Sequence, residues 1–400
     1  MLIRENEPLA PFTTFGIGGP ARWFAEAANE AAIVESAAWA RERDLPLFVL
    51  GGGSNLLVSD AGFNGLVLRV ALRGITVAEA PHNREPSGRI AQRIYRAAAG
   101  ESWDRFVERA VADNCAGIEC LAGIPGSVGG TPVQNVGAYG QEVSTVIERV
   151  RAFDLRERGF VEFTAAECGF AYRRSRFNST DRSRFIVTRV DYRLTPGGAA
   201  TLRYAELQRA MEASRPDGSL PSLAEVADAV RRIRRSKGML LVDGDPDCRS
   251  AGSFFKNPII SEDLFQKIAA RSAAPHFPAG PGAENEGRVK IPAAWLIEQA
   301  GFQKGYRLGN AAISSRHTLA LVNIGPGGRE PGRRAPDGIG PGGIEPDGRG
   351  PDAIEPGGRG PNGRAGATAA EILALAHAIS AAVEARFGVR LEIEPELVGV

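Results

Sequence analysis

Two glycine-rich stretches hold the most legible chemistry in this sequence. Gly51-Gly52-Gly53-Ser54-Asn55-Leu56 follows the short apolar run Leu47–Leu50. Successive glycine amides can converge as a nest on an anion, and Ser54 and Asn55 add polar contacts. The stretch is not the Gly-x-Gly-x-x-Gly fingerprint. Leu56 stands where the third glycine belongs, and the residues after it read as extended, not helical. Alone, it fits a tight hairpin as well as a phosphate loop. The second stretch, Ala122–Gly140, holds six glycines (Gly123, Gly126, Gly129, Gly130, Gly137 and Gly140) and two prolines. Few side chains stand between such a backbone and whatever it wraps. Ile124, Val128, Val133, Val136, Ala138 and Tyr139 set it apart from a flexible linker, so it reads as a loop embracing a cofactor.

Three polar clusters follow. Phe170–Phe177 places Arg173, Arg174 and Arg176 among aromatics, an arrangement suited to an anion or enolate and equally to a strand edge. Ala251–Pro258 sets Ser253 between a glycine and two phenylalanines. No Gly-x-Ser-x-Gly elbow is present, and His82, His276, His317 and His377 suggest no triad. A nucleophilic serine is disfavoured, and a proton-donating one stays open. Ile291–Gly301 reads as a short helix with proline near its start and glycine past its end, and Glu298 and Gln299 face either a ligand or solvent. Glu392, Glu394 and Glu396 alternate along a closing strand and share one side of it.

The elements that must position these residues mix helix and strand. Helices are expected at 30–43, at 102–113 with Ser102 as cap, and at 222–236 with Ser222 and Glu225 at its start. The arginines of that last helix (Arg231, Arg232, Arg234 and Arg235) read as a solvated face. Strands are expected at 47–50, 147–155, 160–163, 184–194 and 319–324. Thr368 and Glu371 form a capping box before the stripe Ile372, Leu375, Ile379, Val383 and Phe387, and Gly388 marks the stop. Between these last elements, residues 325–366 carry a proline every five positions from Pro326 to Pro361 and only three large apolar residues. Such a segment buries too little surface to offset its ordering entropy and reads as a disordered insertion.

Composition bounds the class. The chain has 400 residues, 43% apolar and 24% charged, with a net charge of +1. That excludes a collagen-like or wholly disordered chain and a global basic field for nucleic acid. No apolar run approaches the ~18 residues of a membrane helix. The first residues lack the order of a secretory signal, and four cysteines without Cys-x-x-Cys spacing read as reduced thiols. The expectation is a cytoplasmic protein without a metal or membrane partner.

Taken together and in order, the motifs resemble the UDP-N-acetylenolpyruvoylglucosamine reductase (MurB) family, with a type I-like loop at Leu202–Leu207. The pieces are Thr14–Gly19, Gly51–Leu57, Gly123–Gly130, Gln134–Gly140, Tyr172–Phe177, Gly252–Pro258, Ala294–Gln299 and Glu394–Glu396. They span nearly all the chain outside 325–366, an insertion foreign to the family pattern. Cys248-Arg249-Ser250 and a slightly lengthened 238–248 also depart from it and leave the register of Lys237 open. The resemblance implies an α+β fold with a vanillyl-alcohol-oxidase-like (PCMH-type) FAD-binding half and a smaller α/β substrate-binding domain. It divides the chain into FAD-binding subdomains at 1–72 and 73–197 and a substrate domain at 198–324 and 367–400.

The resemblance also implies non-covalent FAD, NADPH as co-substrate, and reduction of UDP-N-acetylglucosamine enolpyruvate by a monomer. Arg173 and Glu396 would stabilise developing charge, and Ser253 would deliver the proton. Gly51, Gly52, Gly53, Ser54, Asn55, Leu56, Gly123, Ile124, Pro125, Gly126, Ser127, Gly129, Gly130, Asn135, Gly137, Ala138 and Tyr139 would hold the cofactor. Tyr172, Tyr204, Lys237, Asn257 and Gln299 would hold substrate. The competing readings are another FAD-dependent oxidase on the same half-fold and a non-catalytic nucleotide-sugar binder. Neither requires Arg173, Ser253 and Glu396 together.

Overall fold

The computed structural model describes residues 1–79, 92–215, 218–279, 285–325 and 366–400. The expected disordered insertion and His82 lie outside the described residues, apart from the end residues Gly325 and Gly366. The chain divides into two compact units. The first comprises 1–7, 21–53 and 63–241, and the second 8–20, 54–62 and 242–400. The boundary expected near 197 falls at 241 instead, so the segment bearing Tyr204 and Lys237 packs with the first unit.

The described residues include seven α-helices: α1 (Glu30–Glu42), α2 (Trp103–Ala112), α3 (Ala205–Ser214), α4 (Leu223–Ser236), α5 (Glu262–Ala269), α6 (Ala293–Gln299) and α7 (Ala369–Phe387). In the first unit, Pro20–Ala27 and Leu47–Leu50 each run parallel to Phe63–Val70 in a four-stranded sheet. A second, antiparallel sheet pairs Phe185–Pro196 with Ile147–Asp154 on one side and Arg93–Ala98 on the other. One apolar core runs through this unit. Trp103, Phe106 and Tyr192 stack with centroids 4.9–5.7 Å apart, and the Tyr192 hydroxyl meets Thr131 Oγ1 at 2.7 Å. That contact fixes the second glycine stretch onto the sheet.

The second unit has its own core around Phe254, Phe255, Leu296 and Ile379. It holds two three-stranded sheets and the parallel pair Leu56–Val58 with Glu396–Val398. The extended reading after Leu56 is thus correct. The closing strand is shorter than expected, because only Glu396–Val398 joins a ladder.

The local signals mostly hold. The expected capping box forms at Thr368/Glu371 on α7, Ser222 and Glu225 open α4 as a second one, and Gly388 ends α7 at φ 66°. Ser102 stands at the start of α2 but gives no side-chain cap; its backbone pairs with Ser127 instead. The arginine row on α4 splits. Arg232 and Arg235 are exposed, whereas Arg234 shares the buried face of Val230 and Ile233.

Candidate functional site

The two glycine stretches meet backbone to backbone. A Cβ on Gly52 would lie 2.4 Å from Gly126 Cα and 2.6 Å from Ser127 N, and one on Gly51 would lie 2.9 Å from Ser127 Oγ. Only glycine permits this approach. The Ser127 hydroxyl is buried there with no hydrogen-bond partner among the described residues. A buried orphan hydroxyl at a junction with so few side chains is a polar group awaiting an acceptor, which suits a pyrophosphate. Gly53, Gly123 and Gly126 have φ of 64°, 72° and 133°, so the turns themselves need glycine. Asp104, in the first turn of α2, accepts from Gly123 N at 2.6 Å and so fixes the start of the second stretch.

Arg234 supports the same stretch from behind. Its Nε donates to the Gly123 carbonyl at 3.0 Å and a terminal nitrogen donates to that of Met239 at 2.7 Å. Burial pulls its pKa down, while the facing Tyr139 hydroxyl pulls it up. Burial in turn pushes Tyr139 up to about 12, so the phenol is neutral at ordinary pH.

Ala171 and Arg174 exchange both backbone hydrogen bonds, which makes Tyr172 and Arg173 the central residues of a tight turn. Arg173 sits at φ 53°, an uncommon conformation for a side-chain-bearing residue. Its guanidinium donates to the Gly137 carbonyl at 3.0 Å and lies 5.4 Å from the Tyr172 ring centroid. Two further bonds tie this turn to the glycine stretch, and a third braces the stretch itself. Ser175 Oγ donates to Val133 O at 2.6 Å, and Asn135 Nδ2 donates to Ala171 O at 3.1 Å and to Glu142 Oε2 at 2.9 Å. The buried Asn135 side chain therefore holds the loop rather than pointing away from it. Sequence reading missed Ser175, whose only signal was a capping residue before a short turn.

Tyr204 and Lys237 also come together. Lys237 Nζ lies 5.9 Å from the Tyr204 ring centroid and pairs with Glu206, and Tyr204 stands edge-on to Tyr139 with centroids 5.3 Å apart.

In the second unit, Ser253 follows Gly252, whose φ of 77° makes the bend. The extended segment beyond it, outside any named strand, is held on both sides. Phe254 N donates to Leu319 O at 2.7 Å, and Glu394 N donates to Phe254 O at 2.9 Å. The segments bearing Ser253 and Glu396 are thus neighbours. Asn55 brackets Glu396: its Nδ2 donates to Glu394 O at 3.3 Å, and its carbonyl accepts from Glu396 N at 2.9 Å. Asn257 Oδ1 accepts from Ala293 N at 2.9 Å and caps α6, where Pro292 has no capping side chain. Gln299 is exposed, while Glu298 beside it accepts a hydrogen bond from the buried Thr318 hydroxyl.

The glycine junction and its orphan hydroxyl lie within a segment that matches a flavin-binding family. Residues 21–158 match the FAD binding domain family, and residues 245–330 match the C-terminal domain of UDP-N-acetylenolpyruvoylglucosamine reductase. This is the class of flavin-dependent oxidoreductases with an α+β flavin-binding half. A reductase of that name from Thermobifida fusca is 41% identical over 400 residues, 99% of this chain and 98% of that one. Another from Streptomyces coelicolor is 41% identical over 406 residues, 99% and 90% of the two chains. The solved reductase of Thermus caldophilus superposes with a TM-score of 0.58 at 23% identity, covering 99% of this chain and all of that one. The chain belongs to the UDP-N-acetylenolpyruvoylglucosamine reductase family.

Proposed function

We propose that the protein reduces UDP-N-acetylglucosamine enolpyruvate to UDP-N-acetylmuramate for peptidoglycan precursor synthesis in the cytoplasm, with non-covalent FAD and with NADPH as hydride source. The observation that carries this reading is the Gly52–Gly126 junction with its orphan Ser127 hydroxyl, in a chain of this family over nearly its whole length. When bound, FAD would take a hydride from NADPH and supply it to the methylene carbon of the enolpyruvyl ether. Gly51–Gly53 and Gly123–Gly130 would hold the pyrophosphate through backbone amides, with Ser127 Oγ donating to a phosphate oxygen.

Negative charge then develops on the carbon next to the carboxylate. Arg173, preset at φ 53° and tied to Gly137 O, has its charge in place before reaction, which is where electrostatic stabilisation is most effective. By the family resemblance Glu396, bracketed by Asn55, would share in stabilising that charge. Ser253 gives its hydroxyl proton to that carbon. A serine is a weak acid, so transfer requires a strongly basic carbanion beside it. Tyr204 and Lys237 would bind the nucleotide sugar, the ammonium meeting phosphate and the ring packing over the uridine or sugar.

Purified protein should be yellow, and acid precipitation should release the colour to the supernatant. NADPH oxidation should depend on UDP-N-acetylglucosamine enolpyruvate and yield UDP-N-acetylmuramate. Flavin-bearing protein that leaves this substrate unreacted would sink the reading.

A further inference from the structure

Glu119 is fully buried in the first unit, and the expected site does not use it. Its Oε2 accepts from Gly117 N at 2.8 Å, and its Oε1 accepts from Gln141 Nε2 and from Thr201 N, each at 2.8 Å. The three donors are neutral. A carboxylate sealed from water is costly unless it is fully hydrogen-bonded, so this one demands that all three donors stay in place. Gln141, also buried, completes the frame. Its Oε1 accepts from Cys120 N at 2.7 Å, and its Nε2 donates to Thr201 Oγ1 at 3.1 Å. Cys120 Sγ donates to Thr201 O at 3.1 Å. The amide, hydroxyl and carbonyl of Thr201 are each held by this frame.

Thr201 lies in 198–203, a stretch without helix or strand that runs from Phe185–Pro196 to α3. The frame therefore fixes a segment that has no ladder of its own. The chain beyond it is matched residue by residue to the second glycine stretch. Gln141 meets Thr201. Gly140 packs on Arg203 so closely that a Cβ there would lie 2.8 Å from Arg203 Cβ. Tyr139 stands edge-on to Tyr204. Tyr204 itself is 42% exposed, so its ring depends on the groups beside it, Tyr139 and Lys237.

We propose that Glu119 is a positioning residue: through Gln141 and Thr201 it sets where Tyr204 stands between Tyr139 and Lys237, and so sets affinity for the nucleotide-sugar substrate. This rests on the reading that Tyr204 and Lys237 bind that substrate. The groups that hold Glu119 belong to Gly117, Gln141 and Thr201, none of them an expected cofactor- or substrate-binding residue. Glu119 holds the arm to the glycine stretch, so order in one is passed to the other.

Glu119→Gln tests it in the flavin-loaded enzyme. An amide offers one acceptor and one donor, so either Gly117 N or the Gln141–Thr201 pair faces a donor. Losing such a buried partner weakens the frame and should raise KM for UDP-N-acetylglucosamine enolpyruvate about tenfold. Flavin content and kcat should stay near wild type, and Tm should fall by no more than about 10 °C, leaving the enzyme folded at assay temperature. Trypsin, read by mass spectrometry, should cut the exposed Arg203–Tyr204 bond about tenfold faster at unchanged rates elsewhere. Thr201→Val, which removes only the hydroxyl, should move both readouts the same way by less. Unchanged KM and Arg203 cleavage in both variants, or flavin loss with cleavage rising at all sites, would overturn the proposal. If wild type fails to turn over this substrate, the functional reading fails, while the cleavage at Arg203 still reports on the frame.

Discussion

The side-chain carbonyl of Asn323 accepts from the amide of Ala367 at 2.7 Å, and its amide donates to Phe15 O at 3.0 Å. Forty-four positions separate Asn323 and Ala367 in sequence, yet one buried side chain holds both ends of the proline-repeat insertion. Replacing 327–364 by a short Gly/Ser linker should leave flavin content and turnover close to wild type, since the closure point is built outside the excised residues. Asn323→Ala should cost about 1–3 kcal/mol by orphaning buried backbone groups, measured by denaturant unfolding. A deletion variant that does not fold would refute this account of the segment.

Gly52→Ala should abolish flavin retention. The new methyl would meet Gly126 Cα, Gly126 C and Ser127 N, backbone atoms that cannot rotate away. Visible flavin absorbance per protein should fall more than about tenfold, a loss above ~1.4 kcal/mol in binding. Gly159→Ala is the control, because a Cβ there meets nothing within 4 Å and no positive φ is required. Equal flavin content in both variants would mean that the junction does not hold the cofactor.

Ser253→Ala should separate the two half-reactions. Flavin reduction by NADPH needs no proton at the substrate carbon and should proceed near the normal rate. Reoxidation by the enolpyruvyl substrate should slow by about 10²–10⁴-fold. Ser253→Cys should recover part of the loss, a thiol being the stronger acid. Anaerobic stopped-flow absorbance reads both steps. Reoxidation of the alanine variant within a few-fold of wild type would remove Ser253 as proton donor.

The four cysteines should resist modification in the native state. Cys115, Cys120, Cys168 and Cys248 are all buried and unbridged. Burial pushes the Cys120 thiol up and the Cys168 thiol up to about 12, so little thiolate forms at neutral pH. Titration with an aromatic disulfide reagent should find fewer than one reactive thiol before denaturation and four after it, without added reductant. Two after denaturation would reveal a disulfide.

Signals that depend on a few consecutive residues were readable directly. The opening of α4 at Ser222 and Glu225, the capping box at Thr368/Glu371, the stop at Gly388 and the two glycine stretches concern backbone groups within a turn of the residue that satisfies them. The resemblance to the reductase family rests on such local words in order. What the words do to one another was not readable. That Gly52 lies on Gly126, that Asn257 caps α6 and that Asn135 braces the Arg173 turn are contacts across 36 to 74 positions, and nothing in the local sequence names the partner. Arg234 shows the same division. Its helix was legible, but burial of its charge depends on the Gly123 and Met239 carbonyls that receive it. Glu119 had one faint signal, an acid inside the apolar run Cys115–Ile124, and only folding supplies the three donors that make it tolerable there. The sequence determines which residues can adopt tight or capped backbones, because those energies are local. The tertiary structure decides which buried polar groups find each other, because that satisfaction is shared between segments far apart in the chain.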